Sequence, residues 1–211
     1  MRIYPLTVFG GIETNTYFYI DETSRHGFLI DPAAEPEKLL KLIKDHHWVI
    51  EKMLITHGHC DHIGAVEQLH QILKIPYYIH IKGKKYLTDP SWNLSAYFGK
   101  NIILNEAVYF NDNDTFSLET DSDITLSVIH TAGHTEDSVI FYDKHNMLAF
   151  VGDTIFKGSI GRTDFPGGNA QHLKQSIENK ILTLPDQTIL YSGHSESTTV
   201  KAEKNNFHYF F

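Results

Sequence analysis

The sequence predicts one mixed α/β domain over residues 1–211, in which β-sheets pack together and helices lie outside them. Three observations carry this expectation. Short runs of β-forming residues recur along the chain, several of them close into stretches with helical spacing, and no repeat, linker or low-complexity segment breaks the pattern.

Taken in order, residues 2–9 and 16–20 read as strands, the second through the aromatic run Tyr17, Phe18 and Tyr19. A short strand from Gly27 to Ile30 stops at the turn signal Asp31-Pro32. From Pro36 to His46, Leu39, Leu40 and Ile43 recur at helical spacing. Met53-Leu54-Ile55 is a short buried strand running into Thr56-His57-Gly58-His59-Cys60-Asp61-His62, after which Ile63, Val66, Leu69 and Leu73 fall on one face of a helix. Tyr77 to His80 is a strand, and 82–105 carries no regular period. β-type patterning returns at Ala107, with a turn at Asn111-Asp112-Asn113-Asp114 and strands near 124–130, 138–142 and 147–151. A glycine-punctuated loop from Gly152 to Gly168 leads to a helix from Gln171 to Leu182 and a last strand from Thr188 to Tyr191.

Composition narrows the function classes. With 41% hydrophobic and 21% charged residues, the chain is ordinary globular material rather than a disordered one. Eighteen basic against 26 acidic residues leave a net charge of −8, which argues against a nucleic-acid-binding face. No apolar run is long enough to span a membrane, and Met1-Arg2-Ile3-Tyr4-Pro5 is unlike a signal peptide. The single cysteine, Cys60, has no intrachain partner for a disulfide, so a cytoplasmic location is expected, with a small molecule as substrate.

Five of the 14 histidines sit in one recurring context. In the motif His57-x-His59-x-Asp61-His62, a continued strand puts His57 and His59 on one face, while Asp61 and His62 lie where the helix begins. Chance yields this four-residue pattern only about 0.004 times in a chain of this composition. His134 follows the run Val128 to His130 and Thr131-Ala132-Gly133; Asp153 follows Leu148 to Val151 and Gly152; His194 follows Ile189 to Tyr191 and Ser192-Gly193. Each time, a strand runs into a small-residue turn and delivers a ligand-type side chain, the arrangement by which strand ends build sites. The seven residues divide between two metals: His57, His59 and His134 for one, Asp61, His62 and His194 for the other, with Asp153 bridging. Imidazole and carboxylate without thiolate suit zinc first, with iron or manganese as alternatives. Two dications about 3.5–4 Å apart lower the pKa of a bridging water to about 7, giving hydroxide as nucleophile. Asp61 orients it.

These motifs resemble the metallo-β-lactamase superfamily, and within it the short bacterial glyoxalase II-like (hydroxyacylglutathione hydrolase-like) proteins. The matching pieces are Asn15-Thr16-Tyr17, Ile30-Asp31-Pro32, Thr56 to His62, Thr131 to Thr135, Gly152-Asp153-Thr154, the run from Gly158 to Gly168, and Ser192-Gly193-His194. The resemblance implies a four-layer αββα sandwich with the site at one edge, and thioester hydrolysis as the reaction. It also places Arg162 where the family sets a basic residue near the substrate carboxylate. Two features depart from the longer glyoxalase II type. Only a short segment ending Phe207-His208-Tyr209-Phe210-Phe211 follows His194, where that type has a basic helical segment for glutathione. The aromatic residue expected after the last histidine ligand has no match among Ser195, Glu196 and Ser197.

A thioester suits the site, because a thiolate whose conjugate acid has a pKa near 8.5 leaves without a strong general acid. The competing reaction is persulfide dioxygenase chemistry at one iron held by His57, His134 and Asp153, with Asp61, His62 and His194 in support. A non-catalytic metal module fits less well, since closed structural zinc sites commonly use cysteine. Cys60 is expected to be a small packed residue pointing away from the ligands. Asp31 is either a turn former or a partner that orients a ligand histidine. Arg162 either contacts substrate or pairs with Asp164, and Phe165 either packs or lines the mouth.

Overall fold

A computed structural model describes residues Met1–Phe211. The first half of the chain builds a six-stranded sheet in sequential order: β1 (Arg2–Phe9), β2 (Glu13–Ile20), β3 (His26–Ile30), β4 (Val49–Leu54), β5 (Tyr77–His80) and β6 (Val108–Phe110). The first three pair antiparallel through short connections, and β3 to β6 run parallel. Parallel pairs need crossovers, which α1 (Pro36–Asp45), α2 (Cys60–Ile63), α3 (Val66–Leu73) and α4 (Lys84–Thr88) help to supply. The second half adds β7 (Thr115–Ser117), β8 (Thr125–His130), β9 (Val139–Asp143) and β10 (Leu148–Gly152), then a small hairpin of β11 (Ile155–Phe156) and β12 (Ser159–Ile160). α5 (Ala170–Ser176), β13 (Ile189–Ser192), β14 (Thr198–Thr199) and α6 (Val200–Asn206) complete the chain. The second sheet has the order β14-β13-β10-β9-β8-β7.

Side-chain alternation shows how the layers stack. In β2, Tyr17 and Tyr19 face one apolar cluster with Phe28, Ile30, Phe141 and Phe150, while Phe18 and Ile20 face another with Leu39, Ile43, Val66 and Leu69. β9 divides the same way: Val139 and Phe141 join the cluster between the sheets, and Ile140 and Tyr142 pack on Leu173, Ile177 and Val200. One cluster therefore lies between the sheets and one between each sheet and its helices, which is the αββα sandwich. Central strands covered on both faces lose the polar half of the alternation, so β9 and β10 are buried throughout.

The elements differ from the sequence expectations in three instructive places. The helix expected after His62 is two short helices, because the Ala65 amide donates to the Pro32 carbonyl (3.0 Å) rather than back into the helix, where Gly64 passes close against the Ala33 backbone. The helix expected to Leu182 is α-helical only to Ser176 and continues as a π-type turn, Ile177–Ile181. β14 and α6 had no predicted counterpart. α6 has seven residues with Val200 as its one buried apolar side chain, too few for a period, and is started by Thr199, whose hydroxyl accepts from the Ala202 amide.

Candidate metal centre

Strand ends of both sheets meet at one edge of the sandwich. β4 ends at Leu54, and the following loop carries His57 and His59 into the site; β8, β10 and β13 are followed by His134, Asp153 and His194. The two halves are fastened across that edge by backbone hydrogen bonds, the Val139 amide to the Thr56 carbonyl (2.9 Å) and the Asn15 amide to the Gly193 carbonyl (2.7 Å). From β2, the Asn15 amide side chain donates to the carbonyls of Ser192 and Ser195, and the Tyr17 hydroxyl donates to that of Ser192 (2.6 Å). The His194 turn is thus held against the opposite sheet. There is no room to spare: a Cβ on Gly193 would lie 2.3 Å from Asp153 Oδ1.

All seven predicted ligands come together. His59 Nδ1 lies 3.2 Å from His57 Nε2 and 3.0 Å from His134 Nε2, and the three nitrogens face one another. His194 Nε2 lies 3.4 Å from His62 Nε2 and 3.2 Å from Asp61 Oδ2. Asp153 sits between the sets, Oδ1 at 3.3 Å from His62 Nε2 and Oδ2 at 3.2 Å from His194 Nε2 and 3.6 Å from His134 Nε2. A tetrahedral centre with metal–nitrogen bonds of about 2.0–2.1 Å spaces its donors about 3.3 Å apart, close to what both triads display. Two further observations point the same way: the buried Asp153 Oδ1 has no hydrogen-bond partner, and the His57, His62 and Asp153 donors form a third converging group. The residues fit a pair of divalent cations.

Outer contacts fix each ring. His134 Nδ1 is 2.7 Å from the Arg162 carbonyl and His194 Nδ1 is 2.7 Å from the Glu13 carbonyl, so in each ring Nδ1 donates and Nε2 is left as the donor atom for a cation. His62 Nδ1 pairs with Asp31 Oδ2 at 2.9 Å. Asp31 also accepts from the Thr56 amide (2.7 Å) and the Thr56 hydroxyl (2.6 Å), and it holds a left-handed backbone with φ 46°. Of its two expected roles it therefore fills both: it turns the chain after β3 and orients a ligand histidine. Asp31→Ala is expected to weaken metal affinity by about 10–100-fold in competition with a chromophoric chelator, and unchanged affinity would contradict this role.

Charge in the site is organised around the carboxylates. Burial alone would raise the Asp153 carboxyl, but the charges and hydrogen bonds of His62 and His194 outweigh it and hold the group well below its usual range. Burial would likewise lower His62 and His194; Asp153 and Asp31 push the first well up, and Asp153 and Asp61 push the second up to about 10. Burial and neighbouring imidazoles depress His57, and burial with His134 brings His59 down to about 3. The carboxylates thus call for positive charge among them, while His57 and His59 stay neutral with free lone pairs.

Five of the seven, His59, Asp61, His134, Asp153 and His194, line a cavity of about 500 Å³. Arg162 lies on its wall, with Nε and Nη2 bonded to the Asp164 carboxylate at 2.7 and 2.6 Å and the guanidinium carbon 4.0 Å from the Phe165 ring centre. Phe165 also lines the cavity. Cys60 is buried, yet it reaches this wall rather than turning wholly away; burial pushes its thiol up to about 11, so it stays protonated and unreactive. Sequence reasoning missed Ile12, Leu94, Tyr97 and Phe98, which come from loops without a period; their aromatic and aliphatic character beside Gly10, Gly11 and Gly99 was the one available signal.

Comparison with known proteins agrees with this geometry. A family model described as the metallo-beta-lactamase superfamily matches residues 10–194. The hydroxyacylglutathione hydrolase GloC of Haemophilus influenzae is 32% identical over 209 residues, covering 98% of this chain and 95% of its own. Among solved structures, the BLEG-1 B3 metallo-beta-lactamase superposes with a TM-score of 0.90 at 35% identity over 97% of both chains. TTHA1623, solved in a di-iron-bound form, superposes with a TM-score of 0.82 at 30% identity over 96% of this chain and 98% of that one. On fold, on the motifs at the strand ends and on this similarity over nearly its whole length, the chain belongs to the metallo-β-lactamase superfamily.

Proposed function

We propose that the protein hydrolyses a thioester of a small thiol at a two-metal centre formed by His57, His59, Asp61, His62, His134, Asp153 and His194. The observation that carries this reading is the placement of two donor triads on either side of the one Asp153 carboxylate, at the floor of a cavity. Two dications held there, zinc first by donor type and iron or manganese as alternatives, would lower the pKa of a coordinated water and favour an oxyanion.

The remaining work falls to the protein. Asp61 is held as a carboxylate, since the His194 hydrogen bond and the His62 charge outweigh burial, and it lines the cavity. It accepts a proton-bearing edge of the attacking water and aims its oxygen at the acyl carbon. The new C–O bond forms, the attacking water gives up one proton to solvent, and the C–S bond breaks with its electron pair leaving on sulfur as a thiolate, which takes up a proton from solvent. The carboxylic acid and the free thiol are the products. Such a leaving group needs no strong general acid. Arg162, on the wall and already paired with Asp164, is assigned to contact with an uncharged part of the substrate.

The reading is supported by the GloC similarity, and the Asp61, His62 and His194 triad favours it over the one-iron persulfide dioxygenase alternative. The test is release of free thiol from S-acyl thiols by zinc-loaded protein. Turnover that is lost to a chelator and restored by metal is expected. Oxygen consumption with a glutathione persulfide, and no thiol release, would overturn it.

A further inference from the structure

The cavity over the proposed metal centre has a largely apolar wall and no Lys or Arg side chain free of a counter-ion. Ile12, Leu94, Tyr97, Phe98, Phe156 and Phe165 contribute its apolar side. Tyr97 is 74% exposed and Phe98 45% exposed, so large aromatic surface stands open to solvent at the mouth. Arg162 is the one Lys or Arg side chain on this wall, and it comes with its own counter-ion: the Asp164 carboxylate fills its fork and the Phe165 ring lies against its face. Lys100 lies beyond Phe98 in an adjoining cleft that also carries Glu35, and its ammonium donates to the Gly10 carbonyl at 2.9 Å. Lys157, near the His194 loop, is paired with Glu196. A glutathione conjugate brings two carboxylates into a site, each needing a partner once water is displaced. An aryl or alkyl group instead gains from every apolar surface it covers.

We infer that the site selects uncharged thioesters with an apolar acyl group, seated against Tyr97 and Phe98, and discriminates against anionic glutathione conjugates. The inference rests on the thioesterase reading for its chemistry, but binding alone tests it.

The probes are two uncleavable ketone analogues, each with a methylene between sulfur and carbonyl. One carries a phenylacetyl-type group on N-acetylcysteamine; the other carries a lactoyl-type group on glutathione. Titrated calorimetrically into zinc-loaded protein, the neutral probe is expected to bind at least about tenfold more tightly, the return on covering one aromatic ring. Tyr97→Ala with Phe98→Ala is expected to remove about tenfold or more from the neutral probe alone, and both residues are exposed enough for the fold to survive their loss. Asp164→Ala, by freeing Arg162, is expected to tighten the glutathione probe severalfold. Equal or tighter binding of the glutathione probe by the native protein overturns the inference, as does a double variant that leaves both affinities unchanged. If the neutral probe is preferred but neither matching thioester is cleaved, the selectivity stands and the hydrolase reading alone falls.

Discussion

Asp153→Ala is expected to lower thioester turnover by about a thousandfold or more, beyond the 10²–10³ typical of losing a single oxyanion donor. Among the seven proposed ligands, Asp153 is the carboxylate that meets both triads, with Oδ1 beside His62 and Oδ2 beside His194 and His134. Removing it uncouples the two halves of the site. The loss is therefore expected in kcat and in metal content together, measured on the same preparation. Far-ultraviolet circular dichroism separates a lost site from a lost fold. A variant that keeps two metals and most of its turnover would contradict the bridging role.

Asp137→Asn is expected to stabilise the protein at pH 8 and to change little near pH 4. Asp137 is fully buried beneath the metal-binding loop, where Oδ2 accepts from the Gly58 amide at 3.0 Å and Oδ1 has no partner. Burial is the main cause that pushes its carboxyl up to about 7, against the hydrogen bonds from Thr135, its own amide and Gly58. The sign follows from proton counting. Between about pH 4 and 7 the unfolded chain has lost this proton and the folded one retains it, so stability falls as pH rises through that window and levels off above it. A shift of roughly three units corresponds to about 4 kcal/mol. The asparagine keeps the acceptor for Gly58 and never ionises. At pH 8 a gain of about 2–4 kcal/mol is expected, or roughly 5–15 °C in melting temperature for a chain of this length. Both proteins are melted at saturating metal, so that the titration of the ligands is common to the two curves. Parallel curves across pH 4–8 would contradict the assignment.

How much of this was legible in the sequence depended on whether the signal was local. His57, His59, Asp61 and His62 announce themselves because a strand end and a helix start place four donors within six residues. His134, Asp153 and His194 are single residues, legible only because each follows the same strand-then-small-residue pattern. The layers were legible as a class from β2, where Tyr17 and Tyr19 alternate with Phe18 and Ile20, but not the stacking of the two faces, since both are apolar. The break at Gly64 was hidden because its cause, contact with the Pro32-Ala33 backbone, is distant in sequence. The same holds for Asp137, whose burial is set by loops from elsewhere in the chain, and for Tyr97 and Phe98, which sit in a stretch without a period. Long-range contacts make those features, and no window of sequence contains them.

A two-metal centre fixes the number of metal ions that the folded chain holds. Elemental analysis of metal-loaded native protein and of His194→Ala is expected to give about two ions per chain for the first and about one for the second. A single ion in the native protein, undisturbed by loss of His194, would contradict it.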